Sequence, residues 1–193
     1  MPRSLVVGLF IGGRGSRFGG LPKGNLRHPS GVRLIERLLG VCQSALVDAP
    51  AVLVGQSGAN DDLGLEMLPD SPSGIGPLGG LRALVAHATE HGREDVIALA
   101  CDMPYVTAEL VRRLADEARE ALALAPRQND RWQTLLARYS TRALPVLDAA
   151  IEAREHSLQK VFARLGDQAS RLAVSDAELR ALHDWDSPED LAS

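Results

Sequence analysis

The residues best suited to chemistry in this chain stand together in one stretch: Gly12-Gly13-Arg14-Gly15-Ser16-Arg17-Phe18-Gly19-Gly20-Leu21-Pro22-Lys23. It follows directly on an apolar run, Leu5-Val6-Val7-Gly8-Leu9-Phe10-Ile11. Glycine has no Cβ, so a glycine-rich turn can bring backbone N–H groups close to a ligand, where they converge on an anion. Arg14, Arg17 and Lys23 add positive charge to the same turn. A loop of this kind at the end of a buried strand reads as a cradle for a polyphosphate.

Two commoner phosphate loops do not fit. The dinucleotide pattern GxGxxG, counted from Gly13, meets Phe18 at its sixth position. The acidic ribose partner expected about 20 residues further on has no clear counterpart, although Glu36 lies near that distance. The pattern GxxxxGK[ST] fails because Lys23 stands between Pro22 and Gly24. Hydride transfer from a dinucleotide and P-loop ATP hydrolysis are both disfavoured.

The elements that must position this loop follow from composition and pattern. With 193 residues, 45% hydrophobic and 24% charged, the chain suits one soluble domain with a sizeable core. A formal net charge of −4 gives no overall basic field for a nucleic-acid backbone. The cation cluster is therefore local and suits a small anionic ligand. Cys42 and Cys101 form no CxxC pair, so they read as reduced core thiols, with no zinc site or disulfide framework. The first apolar run is too short to span a bilayer, and glycines and charges follow where a signal peptide would place its cleavage site. A cytoplasmic location without membrane attachment is expected, and no histidine is assigned to a metal.

Apolar strands alternate with helical patterns. Strands are predicted at about 4–11, 51–54, 65–68 and 96–100, and helices at about 31–47, 78–90 and 109–120. Thr107 reads as the N-cap of the last of these. Residues 70–77 form a loop by their turn residues. Beyond 121, two strands, 122–126 and 132–139, are expected around a polar turn at 127–131. Helices follow at about 141–154 and 157–165, then a strand-like run at 171–174. Asp186-Ser187-Pro188-Glu189-Asp190 reads as a terminal helical turn with Pro at its first position. This order predicts a single domain over residues 1–193, a Rossmann-like three-layer α/β/α sandwich with a mostly parallel sheet. Ligands of such sheets bind at the carboxyl ends of the strands, and the glycine-rich loop, Asp70 and Asp102 all follow predicted strands.

The motifs resemble those of the nucleotidyltransferases that activate sugars, alcohols and cofactors with nucleoside triphosphates. Their first motif, GGxGxRF/M with a lysine after a short spacer, is matched by Gly12 to Phe18 and Lys23. The spacing is most similar to the MobA-like molybdenum cofactor guanylyltransferases. Gly76-Pro77-Leu78-Gly79-Gly80-Leu81 resembles that family's second loop, and the segment from Ala98 to Thr107, which contains Asp102, resembles its metal-site strand. The segment from Asp186 to Leu191 resembles its C-terminal signature, and Leu136-Ala137-Arg138-Tyr139 with Leu144-Pro145-Val146-Leu147 is a weaker match to its acceptor-side region. The chain departs from the pattern at Pro22, where the guanylyltransferases carry aspartate, and at Gln56, where they carry asparagine near the base.

The resemblance implies a nucleotide-diphospho-sugar transferase type of fold and transfer of GMP from GTP to the phosphate of molybdopterin. Gly12, Gly13, Arg14, Gly15, Ser16 and Arg17 would hold the β- and γ-phosphates, and Lys23 the α-phosphate. Asp102 would bind Mg²⁺. Asp70 would accept from a guanine, with Gly76, Pro77 and Leu78 beside the nucleoside. Arg17, Lys23 and Asp102 form the implied catalytic set. Asp186 either completes the metal site or caps the last helix. GTP, molybdopterin or the molybdenum cofactor, and proteins that deliver or accept that cofactor are the implied partners. A cytidylyltransferase of the same fold, acting on molybdopterin or another small phosphorylated acceptor, and a non-catalytic nucleotide-binding regulator are the alternatives.

Overall fold

Along the first apolar run, Leu5, Val7 and Leu9 pack on one side, and Val6 and Phe10 on the other. That period of two is a strand buried on both faces, and residues Leu5–Phe10 form strand β1. The computed structural model describes residues 4–11, 22–56, 58–185 and 190. Helix α1 (Leu34–Ala45), strand β2 (Ala51–Val54), strand β3 (Glu66–Leu68), helix α2 (Pro77–Glu90) and strand β4 (Asp95–Ala100) follow, each within a few residues of its expected place. Glu36, the acidic residue nearest a ribose-binding spacing, instead accepts from the Arg33 backbone N–H at 3.2 Å at the start of α1.

Helix α3 (Ala108–Asp116) opens on Thr107, whose Oγ1 accepts from the Leu110 N–H at 3.2 Å. It stops four residues short of the expected 120. The carbonyls of Glu117 and Ala118 accept from the buried Arg138 guanidinium at 3.2 and 2.7 Å, and Ala118 takes a left-handed φ of 45°. The next expected strand pair divides into three: β5 (Ala123–Gln128), β6 (Arg131–Trp132) and β7 (Leu136–Ser140). Asn129 and Asp130, at φ 48° and 60°, make the tight hairpin turn between β5 and β6. A single 3-10 turn at Thr141–Ala143 leads into α4 (Leu144–Glu152), followed by α5 (Leu158–Leu165) and β8 (Ala169–Leu172). β8 lies two residues earlier than expected because it pairs in parallel with β5 from Ala123↔Ala169 to Pro126↔Leu172.

The strands join in one sheet of order β3-β2-β1-β4-β7-β5-β6, with β8 beside β5. It is mostly parallel: β3, β2, β1 and β4 all run together, and β7 is inserted antiparallel to β4. Helices α2, α4 and α5 cover one face through Leu81, Leu84, Leu147, Val161 and Phe162. Helices α1 and α3 cover the other through Ile35, Leu38, Leu110 and Leu114. The result is the expected three-layer arrangement. A third small cluster, Leu26, Leu34 and Trp185, sits apart from both faces. Among the described residues no helix is long and apolar enough to cross a membrane.

Candidate functional site at the carboxyl edge of the sheet

Four parallel strands end at one edge, and backbone bonds continue just past it. Ile11 N–H donates to Val54, Gly55 N–H to Leu68, and Cys101 N–H to Phe10, at 3.0, 2.9 and 3.1 Å. Because β7 runs the other way, its start also lies at this edge, where Ala100 N–H donates to the Leu135 carbonyl at 2.8 Å. Ile11, Asp70, Asp102 and residues 133–135 are thereby brought to one rim. Gly12, Gly13, Arg14, Gly15, Ser16 and Arg17 follow Ile11 and lie outside the described residues, as does Asp186.

Lys23 and Asp102 meet directly. Lys23 Nζ lies 2.8 Å from Asp102 Oδ2, with the two side chains 19% and 16% exposed. Lys23 opens a 3-10 turn at Lys23–Asn25. Pro22, at φ −57°, starts that turn, and its carbonyl accepts from Asn25 N–H at 2.9 Å. The turn lies flat on the core because Gly24 is buried, where a Cβ would come within 3.4 Å of Cys101 Sγ and Ile35 Cβ. Asp102 is fixed from below by β4 and from the side by the C-terminal segment, since Trp185 N–H donates to its carbonyl at 2.9 Å. Burial, with the neighbouring Asp102 charge, pushes the Cys101 thiol up to about 12, so it stays a neutral core group.

Asp70 follows β3 and leans over the first turn of α2. Its Oδ1 is 2.9 Å from where a Gly80 Cβ would stand. Gly79 is tighter still, since a Cβ there would sit 2.2 Å from the Pro72 carbonyl oxygen. Ser71 N–H also donates to the Gly79 carbonyl at 3.1 Å. The glycine pair of this motif therefore serves helix-to-loop packing. Gly76 differs: it is exposed, meets open space and holds φ at 73°. Pro77 is exposed as the first residue of α2, whereas the Leu78 side chain is fully buried in the core and presents only backbone to a ligand. Partial burial raises the Asp70 carboxyl pKa above its ordinary value.

Next to Asp102 opens a cavity of about 520 Å³. Its lining includes Gln128, Arg131, Gln133, Thr134, Gln159 and Asp184. The sequence reads 127–131 as a polar turn and 132–139 as a strand, and names no site residue in either. The available signal was a polar stretch between two apolar strands. Gln159 and Asp184 carried no signal of their own, because only the fold brings α5 and the C-terminal segment to the cavity. His87, in the last turn of α2, and His91, its C-cap, have ring centroids 4.2 Å apart, at the end of the helix away from Gly76. Among the described residues no three of His, Cys, Asp and Glu gather to hold a metal.

Asp70 and Asp102 follow β3 and β4, the outer two of four neighbouring strands. At ~4.8 Å between neighbours, those strand ends lie ~14 Å apart. That distance, with Lys23 against Asp102 at one end, suits an extended ligand laid along the rim.

Comparison with known proteins agrees with this geometry. The model of the MobA-like NTP transferase domain family matches residues 9–170. A molybdenum cofactor guanylyltransferase of Pseudomonas fluorescens is 32% identical, covering 94% of this chain and 90% of its own. Another from Rhodobacter capsulatus is 34% identical, covering 97% and 93%. Among solved structures, molybdopterin-guanine dinucleotide biosynthesis protein A from Archaeoglobus fulgidus superposes with a TM-score of 0.76 at 25% identity, covering 96% and 94%. The 2-C-methyl-D-erythritol 4-phosphate cytidylyltransferase from Thermus thermophilus shares the fold, with a TM-score of 0.68 at 16% identity, covering 100% and 96%. The parallel strand ends, the paired Lys23 and Asp102 and a likeness over nearly the whole chain lead to one assignment: this chain is a nucleotidyltransferase that belongs to the MobA-like NTP transferase family.

Proposed function

We propose that this chain transfers GMP from GTP to the terminal phosphate of molybdopterin and releases pyrophosphate. The observation that carries the reading is the Lys23–Asp102 pair, 2.8 Å apart and joined across 79 residues at the carboxyl edge of the sheet. Relatives named molybdenum cofactor guanylyltransferase support the choice of substrates.

An acceptor phosphate oxygen attacks the α-phosphorus of GTP. A new P–O bond forms while the bond to the bridging oxygen breaks, and that electron pair leaves with pyrophosphate. The second pKa of a phosphate monoester is about 6, so the nucleophile is largely dianionic at neutral pH. No general base is needed. The protein's task is to position the reactants and neutralise charge. Lys23 does this at the α-phosphate. Gly12, Gly13, Arg14, Gly15, Ser16 and Arg17 hold the β- and γ-phosphates. Asp70 accepts from the guanine N1–H and amino group, with Gly76, Pro77 and the Leu78 backbone beside the nucleoside.

Asp102 and Asp184 line the same cavity. One or two carboxylates with retained water is the donor set Mg²⁺ prefers, so these residues fit that ion. Asp102 would hold it, with Asp184 as the second carboxylate. Bound there, Mg²⁺ supplies Lewis-acid neutralisation of phosphate oxygens.

The test offers purified protein GTP or CTP with Mg²⁺, with and without molybdopterin, and measures pyrophosphate. Release that needs both GTP and molybdopterin is the expected result. Preference for CTP would overturn the guanylyl assignment in favour of cytidylyl transfer, and nucleotide binding without release would indicate a regulatory protein.

A further inference from the structure

Strand β6 is too short to hold itself in place. It has two residues, paired only as Arg127↔Trp132 and Gln128↔Arg131. Yet both of its residues, Arg131 and Trp132, line the cavity that contains Asp102. The missing constraint comes from α5. The Gln159 side-chain amide donates through Nε2 to the Trp132 carbonyl at 2.8 Å, and its Oε1 accepts from the Trp132 N–H at 3.1 Å. One side chain thus satisfies both backbone groups of one residue, as a neighbouring strand would. Three residues along the same helix, Phe162 stacks on the Trp132 ring with centroids at 4.6 Å. Helix α5 therefore grips Trp132 by backbone and by ring, and Gln159 itself faces the cavity.

We propose that Gln159 is a positioning residue for the phosphorylated acceptor, acting through the β6 backbone to hold the Arg131 guanidinium at the acceptor's anionic group. The inference rests on the guanylyl-transfer reading of this site. An acceptor phosphate that attacks near Asp102 must lie in this cavity as a dianion. Among the described residues Arg131 is the one cationic residue in the cavity's lining. Guanidinium recognises phosphate through paired N–H donors only when its angle is right. That angle depends on the peptide that Gln159 clamps. The nucleotide half of the rim, at β1 and β3, is on other elements, so loss of the clamp affects the acceptor alone.

The test is steady-state kinetics of the full chain with GTP, Mg²⁺ and molybdopterin, read as pyrophosphate. Gln159→Met keeps the length and apolar stem but removes both hydrogen bonds. Its KM for molybdopterin is expected to rise about tenfold, the scale of one or two lost hydrogen bonds. Its kcat and its KM for GTP are expected to stay within about twofold, well inside the effect of one hydrogen bond. Gln159→Asn, one methylene too short to span both groups, is the second variant should Gln159→Met fold poorly, and the same split is expected. Arg131→Gln also raises the molybdopterin KM, and the double variant Arg131→Gln/Gln159→Met is no worse than Arg131→Gln alone, because the two act as one unit. An unchanged molybdopterin KM, a parallel rise in the KM for GTP, or effects that multiply in the double variant would each overturn the proposal. A wild-type protein that transfers GMP with none of these changes sinks only the role of Gln159. A wild-type protein that transfers no GMP to molybdopterin sinks the functional reading and this inference with it.

Discussion

Lys23 Nζ lies 2.8 Å from Asp102 Oδ2, and each residue reaches that point on a different scaffold: a short turn pinned by Pro22 and Gly24, and the end of a central strand. The pair concentrates opposite charges where a triphosphate and a cation would each compete for one member. Asp102→Asn is expected to abolish pyrophosphate release while leaving the thermal unfolding transition cooperative. Lys23→Met should lower kcat by about 10²–10³, the usual effect of deleting one donor to developing charge. Retained turnover in Asp102→Asn would remove Asp102 from the metal assignment.

The two glycines of the α2 loop should separate in their effects. Gly79→Ala forces a Cβ to within 2.2 Å of a backbone oxygen, which cannot move without shifting the Asp70 loop. Overpacking of this kind costs about 1–3 kcal/mol, and the KM for GTP should rise with it. Gly76→Ala meets no atom but must keep a φ of 73°. With ψ at −157° this is a region open almost to glycine alone, so its cost is about 1–3 kcal/mol, from backbone strain. Urea denaturation of both variants gives the stabilities. Equal GTP KM values in the two variants would show that the Pro72 contact does not hold the Asp70 loop.

Asp70 gives a pH signature. Burial raises its carboxyl pKa, so the folded protein keeps that proton to higher pH than the unfolded chain. Below the ordinary carboxylate value the group is neutral in both states. As pH rises through the raised pKa, the buried charge forms and its share of stability is lost. Asp70→Asn cannot ionise, so it should be more stable than wild type at neutral pH and equal to it in acid. Denaturation at a series of pH values checks this, and an unchanged difference across the series would sink it. In turnover, the same variant should lose preference for GTP over ATP.

The parallel half of the fold was legible because its signals are local. Leu5, Val7 and Leu9 alternate with Val6 and Phe10, and Thr107 carries its own cap. Asp102 was legible because it ends the apolar run at Ala100. What could not be read was set by distant partners. Arg138 stops α3 by taking the carbonyls of Glu117 and Ala118, twenty residues away in sequence. The hairpin Gln128-Asn129-Asp130-Arg131 looked like a surface turn, and becomes a cavity wall only when Gln159 reaches it from α5. Leu78 reads as a residue beside a nucleoside and Gly79 as part of the same loop motif, while the packing of α2 on the sheet turns Gly79 toward Pro72 and Leu78 into the core.

Trp185 ties the two halves of the Lys23–Asp102 pair together from behind. Trp185 is 1% exposed and its ring clusters with Leu26 and Leu34, just beyond the Lys23 turn, while its backbone N–H holds the Asp102 carbonyl. Tyr105 meets the ring edge-on at 6.3 Å. Deleting the ring in Trp185→Ala should cost about 3–5 kcal/mol, as large aromatic truncations in a core do. It should also lower kcat, because both Lys23 and Asp102 lose a fixed neighbour. The indole Nε1 is buried without a hydrogen-bond partner among the described residues. Trp185→Phe therefore removes volume but breaks no bond of the ring, and should cost no more than about 2 kcal/mol with kcat nearly unchanged. Calorimetry and pyrophosphate release on the two variants separate packing from hydrogen bonding. A Phe variant as damaged as the Ala variant would show that the indole N–H does find a partner, and that the ring acts by more than its shape.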